Sequence, residues 1–219
     1  MKNNIIEINV DKGVLKGELN IPERARQLIL FAHGSASGWQ SPRNRHVASR
    51  FQKEGYATLL FDLLTGEEAR EDAVNANFRF NIALLSQRMK QATRWASALP
   101  EASGVEIAYF GSSTGVAAAI ISAVELEGKI TSLVSRGGRS DMAEEHLPNL
   151  KSPILFVVGG NDPVVMDINR RSAKKLTCEN SIEVIEGASH LFEEPGALDR
   201  VAELAADWYA RHPGTVKSK

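Results

Sequence analysis

The sequence predicts a doubly wound α/β architecture, a mostly parallel sheet covered by helices and opened by an antiparallel hairpin. Three observations carry this. Short continuous apolar runs, such as Leu28–Ala32 and Pro153–Val158, suit strands covered on both faces. Segments with helical apolar spacing lie between such runs, giving the alternation expected of a parallel sheet. Glycine-bearing polar stretches then follow the runs at their C-terminal ends, where sheets of this kind carry their sites.

The 219 residues fit one domain, 1–219, large enough to bury a substantial core. With 26 basic and 27 acidic residues the net charge is −1, and no long run of like charge points to nucleic acid or an anionic membrane. The single cysteine, Cys178, can form no internal disulfide and belongs to no metal-binding pattern. Charges interrupt the apolar residues at the N-terminus, and no stretch approaches the roughly 20 apolar residues of a membrane span. The expectation is a cytoplasmic protein with no metal, no cofactor, no nucleic-acid partner and no membrane association. Oligomeric state is left open.

Along the chain, residues 5–10 and 14–21 read as antiparallel strands around a turn at Asp11-Lys12-Gly13, and Pro22 ends the second. Leu28–Ala32 is the first inner strand and runs into His33-Gly34-Ser35-Ala36-Ser37-Gly38. A helix is expected over 44–54, with Gly55 after it. Ala57–Phe61 is the next strand, ending at Asp62, which reads more readily as a solvated or capping residue than as part of a site. The acidic segment 66–72 is expected to be an exposed loop, with a mobile flap as the alternative. Ile82, Leu85, Met89, Ala92, Trp95 and Ala96 recur at helical spacing, so 81–99 is a long helix with Trp95 on its core face. A strand at 105–110 and a helix to about Glu125 follow. Further strands are expected at 130–134, 153–158 and 182–185, and helices at 166–176 and 198–212. The tail 214–219 should fray.

The pattern Gly111-Ser112-Ser113-Thr114-Gly115 lies between the strand at 105–110 and its following helix, the context of a nucleophile elbow. A serine hydroxyl needs a base, and a histidine suits because its pKa lies near neutrality. The histidine in turn needs a carboxylate to fix its tautomer and stabilise its charged form. Asp162, just beyond the strand at 153–158, and His190, beyond the strand at 182–185, supply these residue types at one sheet edge. Taken singly, Ser113 and Asp162 could merely shape turns and His190 could be a capped or partly buried core histidine; together, in the order Ser113, Asp162, His190, they form a candidate triad. Asp141, beyond the preceding strand, is the alternative carboxylate.

The stretches Phe31–Ser35, Ser41–Arg45, Gly111–Gly115, Ser135–Arg139, Gly159–Asp162 and Ser189–Gly196 together resemble the α/β-hydrolase superfamily, and within it the dienelactone-hydrolase-like group. The resemblance spans nearly the whole chain. It implies an α/β-hydrolase fold and a serine hydrolase acting on a small ester or lactone, with the main-chain N–H groups of Ser35 and Thr114 as oxyanion donors. His33 then has a structural role in shaping its loop. One departure matters: dienelactone hydrolases proper are known for a cysteine nucleophile, whereas this elbow carries Ser113, which puts dienelactone itself in doubt as substrate.

The segment 136–152 is too short for a helical cap, so an open, shallow site is expected. Arg43, Arg45, Arg136 and Arg139 leave strand ends on the same edge and are candidates for holding a substrate carboxylate or phosphate; pairing with acidic residues of 66–72 or with solvent is the alternative. The other functional classes compatible with the sequence are a non-catalytic binding protein of the same fold and an acyltransferase using the same triad.

Overall fold

The two-residue turn at Asp11 and Lys12 joins β1 (Asn4–Val10) to β2 (Gly13–Asn20) in antiparallel register, Val10 opposite Gly13. The computed structural model describes residues 4–35 and 37–213. Ala36 and the tail 214–219, expected to fray, lie outside those residues. β2 pairs antiparallel with β4 (Ala57–Phe61), and all later pairings are parallel. With β3 (Leu28–Ala32), β5 (Ile107–Ser112), β6 (Ile130–Arg136), β7 (Ile154–Gly159) and β8 (Asn180–Ile185), the sheet order is β1-β2-β4-β3-β5-β6-β7-β8.

Alternate residues of the inner strands serve opposite faces, as the period of two in a strand requires. On β3, Leu28, Leu30 and Ala32 join one apolar cluster, whereas Ile29 and Phe31 join the other. The first cluster holds α3 (Ile82–Ser97) and α4 (Gly115–Glu125), with Trp95 packed at its margin. The second holds α1 (Pro42–Lys53) and α6 (Ala197–Arg211), centred on Phe51, whose ring touches Phe31, Phe110 and Tyr209. Truncating a fully buried phenylalanine of this kind to alanine costs about 3–5 kcal/mol.

Most elements lie where the sequence placed them; three helices differ for identifiable reasons, among them the helix expected at 166–176, which runs Pro163–Ala173 because Asp162 caps it and Pro163 fits its first turn. The segment 66–72 is not a loop but the start of α2 (Gly66–Asn75). Thr65 accepts from the Glu68 N–H while Glu68 returns a bond to the Thr65 N–H, a capping box that satisfies two orphan donors. α1 begins two residues earlier than expected, because Ser41 caps it and Pro42 fits its first turn. Between β6 and β7 the chain forms only 3-10 turns, Ser140–Asn149, so there is no large cap. No helix among the described residues is long and apolar enough to cross a membrane.

Candidate active site

β5 delivers the elbow, and two glycines allow α4 to cross close behind it. A Cβ on Gly115 would sit 2.2 Å from the Ala32 carbonyl oxygen, and one on Gly111 would sit 2.9 Å from Val116 Cα. Ser113 itself has φ +48, a left-handed conformation that costs a non-glycine residue about 1–3 kcal/mol. Its backbone is held from both sides: the Ser113 N–H donates to the Arg136 carbonyl at 3.2 Å, and the Arg139 N–H donates to the Ser113 carbonyl at 3.0 Å. The strained turn is thus fixed by the neighbouring strand and by the loop that leaves it. α4 also directs its N-terminal dipole at this turn.

His190 and Asp162 meet across two loops. His190 Nδ1 lies 2.6 Å from Asp162 Oδ2, with the carboxylate 12% and the imidazole 39% exposed. Asp162 caps α5 (Pro163–Ala173), its other oxygen accepting the Val165 N–H at 3.2 Å, so the carboxylate cannot swing away. The loop bearing His190 is clamped to the end of β7 by Asn161, whose N–H and side-chain amide reach the Ala188 and Gly187 carbonyls. A carboxylate on Nδ1 places the proton there and leaves Nε2 as the acceptor. The Ser113 hydroxyl makes no hydrogen bond to His190 among the described residues; free enzymes commonly close that contact only around substrate.

His33 is buried with both ring nitrogens engaged: Nδ1 donates to the Gly34 carbonyl at 2.9 Å, and Nε2 accepts the Leu63 N–H at 2.9 Å. Burial pushes its pKa down, consistent with a neutral ring. Because a trans peptide sets C=O and N–H opposite each other, fixing the Gly34 carbonyl on His33 turns the Ser35 N–H away from it. Gly34 lies against Ser113, since a Cβ there would be 3.0 Å from Ser113 Cβ. Among the described residues, neither the Ser35 nor the Thr114 N–H is given to a protein acceptor.

The four arginines part company. Arg43 pairs with Glu193 at 2.8 Å, Arg45 with Glu18, and Arg139 holds Asp141 through two bonds of 2.8 Å. None of these partners lies in 66–72. The Arg139 pairing draws the Asp141 carboxyl below its usual range and commits it away from His190. Arg136 belongs to β6 rather than to a loop; its guanidinium sits 6.0 Å from the Phe110 ring and its Nη1 has no partner. Burial, with the nearby Arg43 charge, pushes it down to about 10.

One buried polar residue beside these loops has no counterpart among the residues the sequence singles out. Asn169, fully buried on α5, donates to the Gly138 and Val165 carbonyls and accepts from Ser140. Its spacing of seven from Asp162, with Val165 between, places all three on one helix face, the one signal that could have found it.

Comparison with known proteins gives the chain's family and fold. A model described as the dienelactone hydrolase family matches residues 15–217. A dienelactone hydrolase from Anabaena variabilis ATCC 29413 is 44% identical in solved structure, with a TM-score of 0.94 over 96% of this chain and 98% of that one. Est1E from Butyrivibrio proteoclasticus shares the fold at 15% identity, with a TM-score of 0.80 over 95% of this chain and 98% of that one. Proteins from two strains of Mycobacterium tuberculosis, named "Putative phosphoribosyl transferase", are 44% identical over 196 residues, covering 90% of this chain and 43% of their own length. The chain thus spans less than half the length of these curated relatives.

Proposed function

Because the chain belongs to the dienelactone hydrolase family, we propose that it is a serine hydrolase that cleaves a small carboxylic ester or lactone through an acyl-enzyme on Ser113. The observation that carries this reading is the 2.6 Å contact of His190 Nδ1 with Asp162 at the sheet edge where the elbow presents Ser113.

In the reaction, His190 Nε2 takes the Ser113 proton as Oγ attacks the carbonyl carbon, and Asp162 stabilises the imidazolium without taking that proton. The carbonyl oxygen becomes an oxyanion held by the Ser35 and Thr114 N–H groups. Collapse breaks the bond to the alcohol oxygen, which leaves with the proton from His190. Water then repeats the sequence: it gives a proton to His190 and attacks the acyl carbon, and Ser113 departs with that proton.

The transferase name of the Mycobacterium tuberculosis relatives describes proteins of which the match covers 43%, and it is not carried over. A serine, histidine and aspartate arranged around an elbow suit attack on an acyl carbon. A fluorophosphonate probe tests the proposal: wild type should label on one serine and Ser113→Ala should not. Failure of the wild type to label, or full esterase activity in Ser113→Ala, would defeat it.

A further inference from the structure

Behind the oxyanion loop lies a cavity of about 310 Å³ that the acyl-transfer scheme leaves unused. Gly34 and Ser35 form its edge nearest the nucleophile, and α2 closes the other side through Ala69, Asp72 and Ala73. Its size is at the small end of ligand pockets, which run from about 300 to 1,000 Å³. Leu63, Leu64 and Leu85 make its body apolar.

The charge inside is one-sided. Arg79 is consumed by Asp72, through Nε to Oδ2 at 2.7 Å and Nη2 to the main-chain carbonyl at 2.5 Å, which leaves that pair neutral. His33 is neutral, as its two hydrogen bonds require. Asp62 remains. One of its oxygens accepts the Trp39 N–H at 3.0 Å; among the described residues the carboxylate has no ion-pair partner. Lys16 is near enough to favour its charge but does not line the cavity, and burial pushes the Asp62 carboxyl up. A partly desolvated carboxylate without a cation is a costly arrangement that a ligand donor would relieve. Among the described residues that line the cavity, the only cationic side chain is Arg79, already held by Asp72.

We propose that this cavity is the substrate's second subsite and takes a compact, mainly apolar group ending in a hydrogen-bond donor, an ammonium or a hydroxyl, received by Asp62. This rests on the reading of Ser113 as nucleophile, because the cavity's meaning as a substrate subsite comes from its place beside that residue. It makes Asp62 a specificity-determining residue and disfavours esters whose far end is a carboxylate.

The test uses Ser113→Ala protein, which leaves esters intact, and four methyl esters with one six-carbon chain: methyl hexanoate, methyl 6-hydroxyhexanoate, methyl 6-aminohexanoate and monomethyl adipate. In calorimetric titrations the ammonium ester should bind about tenfold or more tighter than methyl hexanoate, the scale of a hydrogen bond to a charged group. The hydroxyl ester should fall between them, and the adipate ester should bind most weakly. Adding Asp62→Asn, which keeps an acceptor for Trp39, should abolish the ammonium advantage and the adipate penalty. Equal affinities, tightest binding of the adipate ester, or an order unchanged by Asp62→Asn would overturn the proposal. Turnover of the same esters by wild type is scored separately. Ordered binding without turnover would fail the hydrolase reading alone, and turnover without ordered binding would fail the subsite alone.

Discussion

The side-chain amide of Asn169 donates to the main-chain carbonyl of Gly138 across 3.0 Å. The same nitrogen reaches Val165, whose N–H meets the Asp162 carboxylate. One residue beyond Gly138, the Arg139 N–H holds the Ser113 carbonyl. Asn169 therefore joins the helix that begins at Asp162 to the turn that fixes the elbow.

Asn169→Leu is expected to lower kcat roughly ten- to a hundredfold at nearly unchanged KM, because small misplacements of reacting groups are expensive. It should also lower stability by about 1–3 kcal/mol by leaving the Gly138 carbonyl without its partner. Ser152→Ala, which deletes a buried hydroxyl bonded to the Ile130 carbonyl at 2.7 Å, serves as the control. It should lower the melting temperature and leave kcat alone. Equal kcat losses in both variants would reduce Asn169 to a packing residue.

His33 fixes the Gly34 carbonyl, and with it the Ser35 N–H proposed above as an oxyanion donor. His33→Phe keeps the ring's bulk but loses both hydrogen bonds, so kcat is expected to fall by about a hundredfold, the loss typical of one misplaced oxyanion donor. Steady-state kinetics would show the change in kcat rather than KM. A variant with wild-type kcat would mean that the loop holds its shape without the imidazole.

The placement of Ser113, Asp162 and His190 at one sheet edge was legible because parallel strands all end there, so the three needed only to follow β5, β7 and β8. Other features were not, because they depend on residues distant in sequence. The pairing of Arg45 with Glu18 and of Arg43 with Glu193 cannot be read from spacing. α2 has too few apolar residues to announce itself. It is secured by its capping box, by Arg88 reaching Glu68 at 2.8 Å and by Arg79 on Asp72. Asp62 was readable as a polar strand end, but the cavity it lines forms only when α2 folds back over the loop after β4.

Burial holds His33 below its ordinary value of 6.5. As pH falls through about 6.5 the unfolded chain takes up a proton that the folded chain refuses, so stability is lost progressively down to the folded value. Asp62 works oppositely: its folded pKa is raised, so folding gains relative stability as pH falls through that raised value toward 3.8. Denaturation midpoints measured between about pH 5 and 8 should decline on the acid side. His33→Gln should flatten the decline that begins near 6.5, and Asp62→Asn should leave that part in place. A decline identical in His33→Gln would assign it to another group.

Asp162 and Asp141 both follow parallel strands, and their partners separate them. Asp162 meets His190 at 2.6 Å, whereas Asp141 is held twice by Arg139 at 2.8 Å. Asparagine is also a good helix cap, so Asp162→Asn should leave α5 folded. It presents an amide to Nδ1 in place of a carboxylate, which favours the wrong tautomer and removes the charge that stabilises the imidazolium. A loss of roughly a thousandfold or more in kcat is expected. Asp141→Asn removes a partly exposed ion pair, and its effect on kcat should stay within about threefold. Circular dichroism would establish that both variants are folded before their rates are compared. If Asp162→Asn kept full activity while Asp141→Asn lost it, the carboxylate behind His190 would have to be reassigned, and the 2.6 Å contact would be a loop-to-loop bond without a part in the reaction.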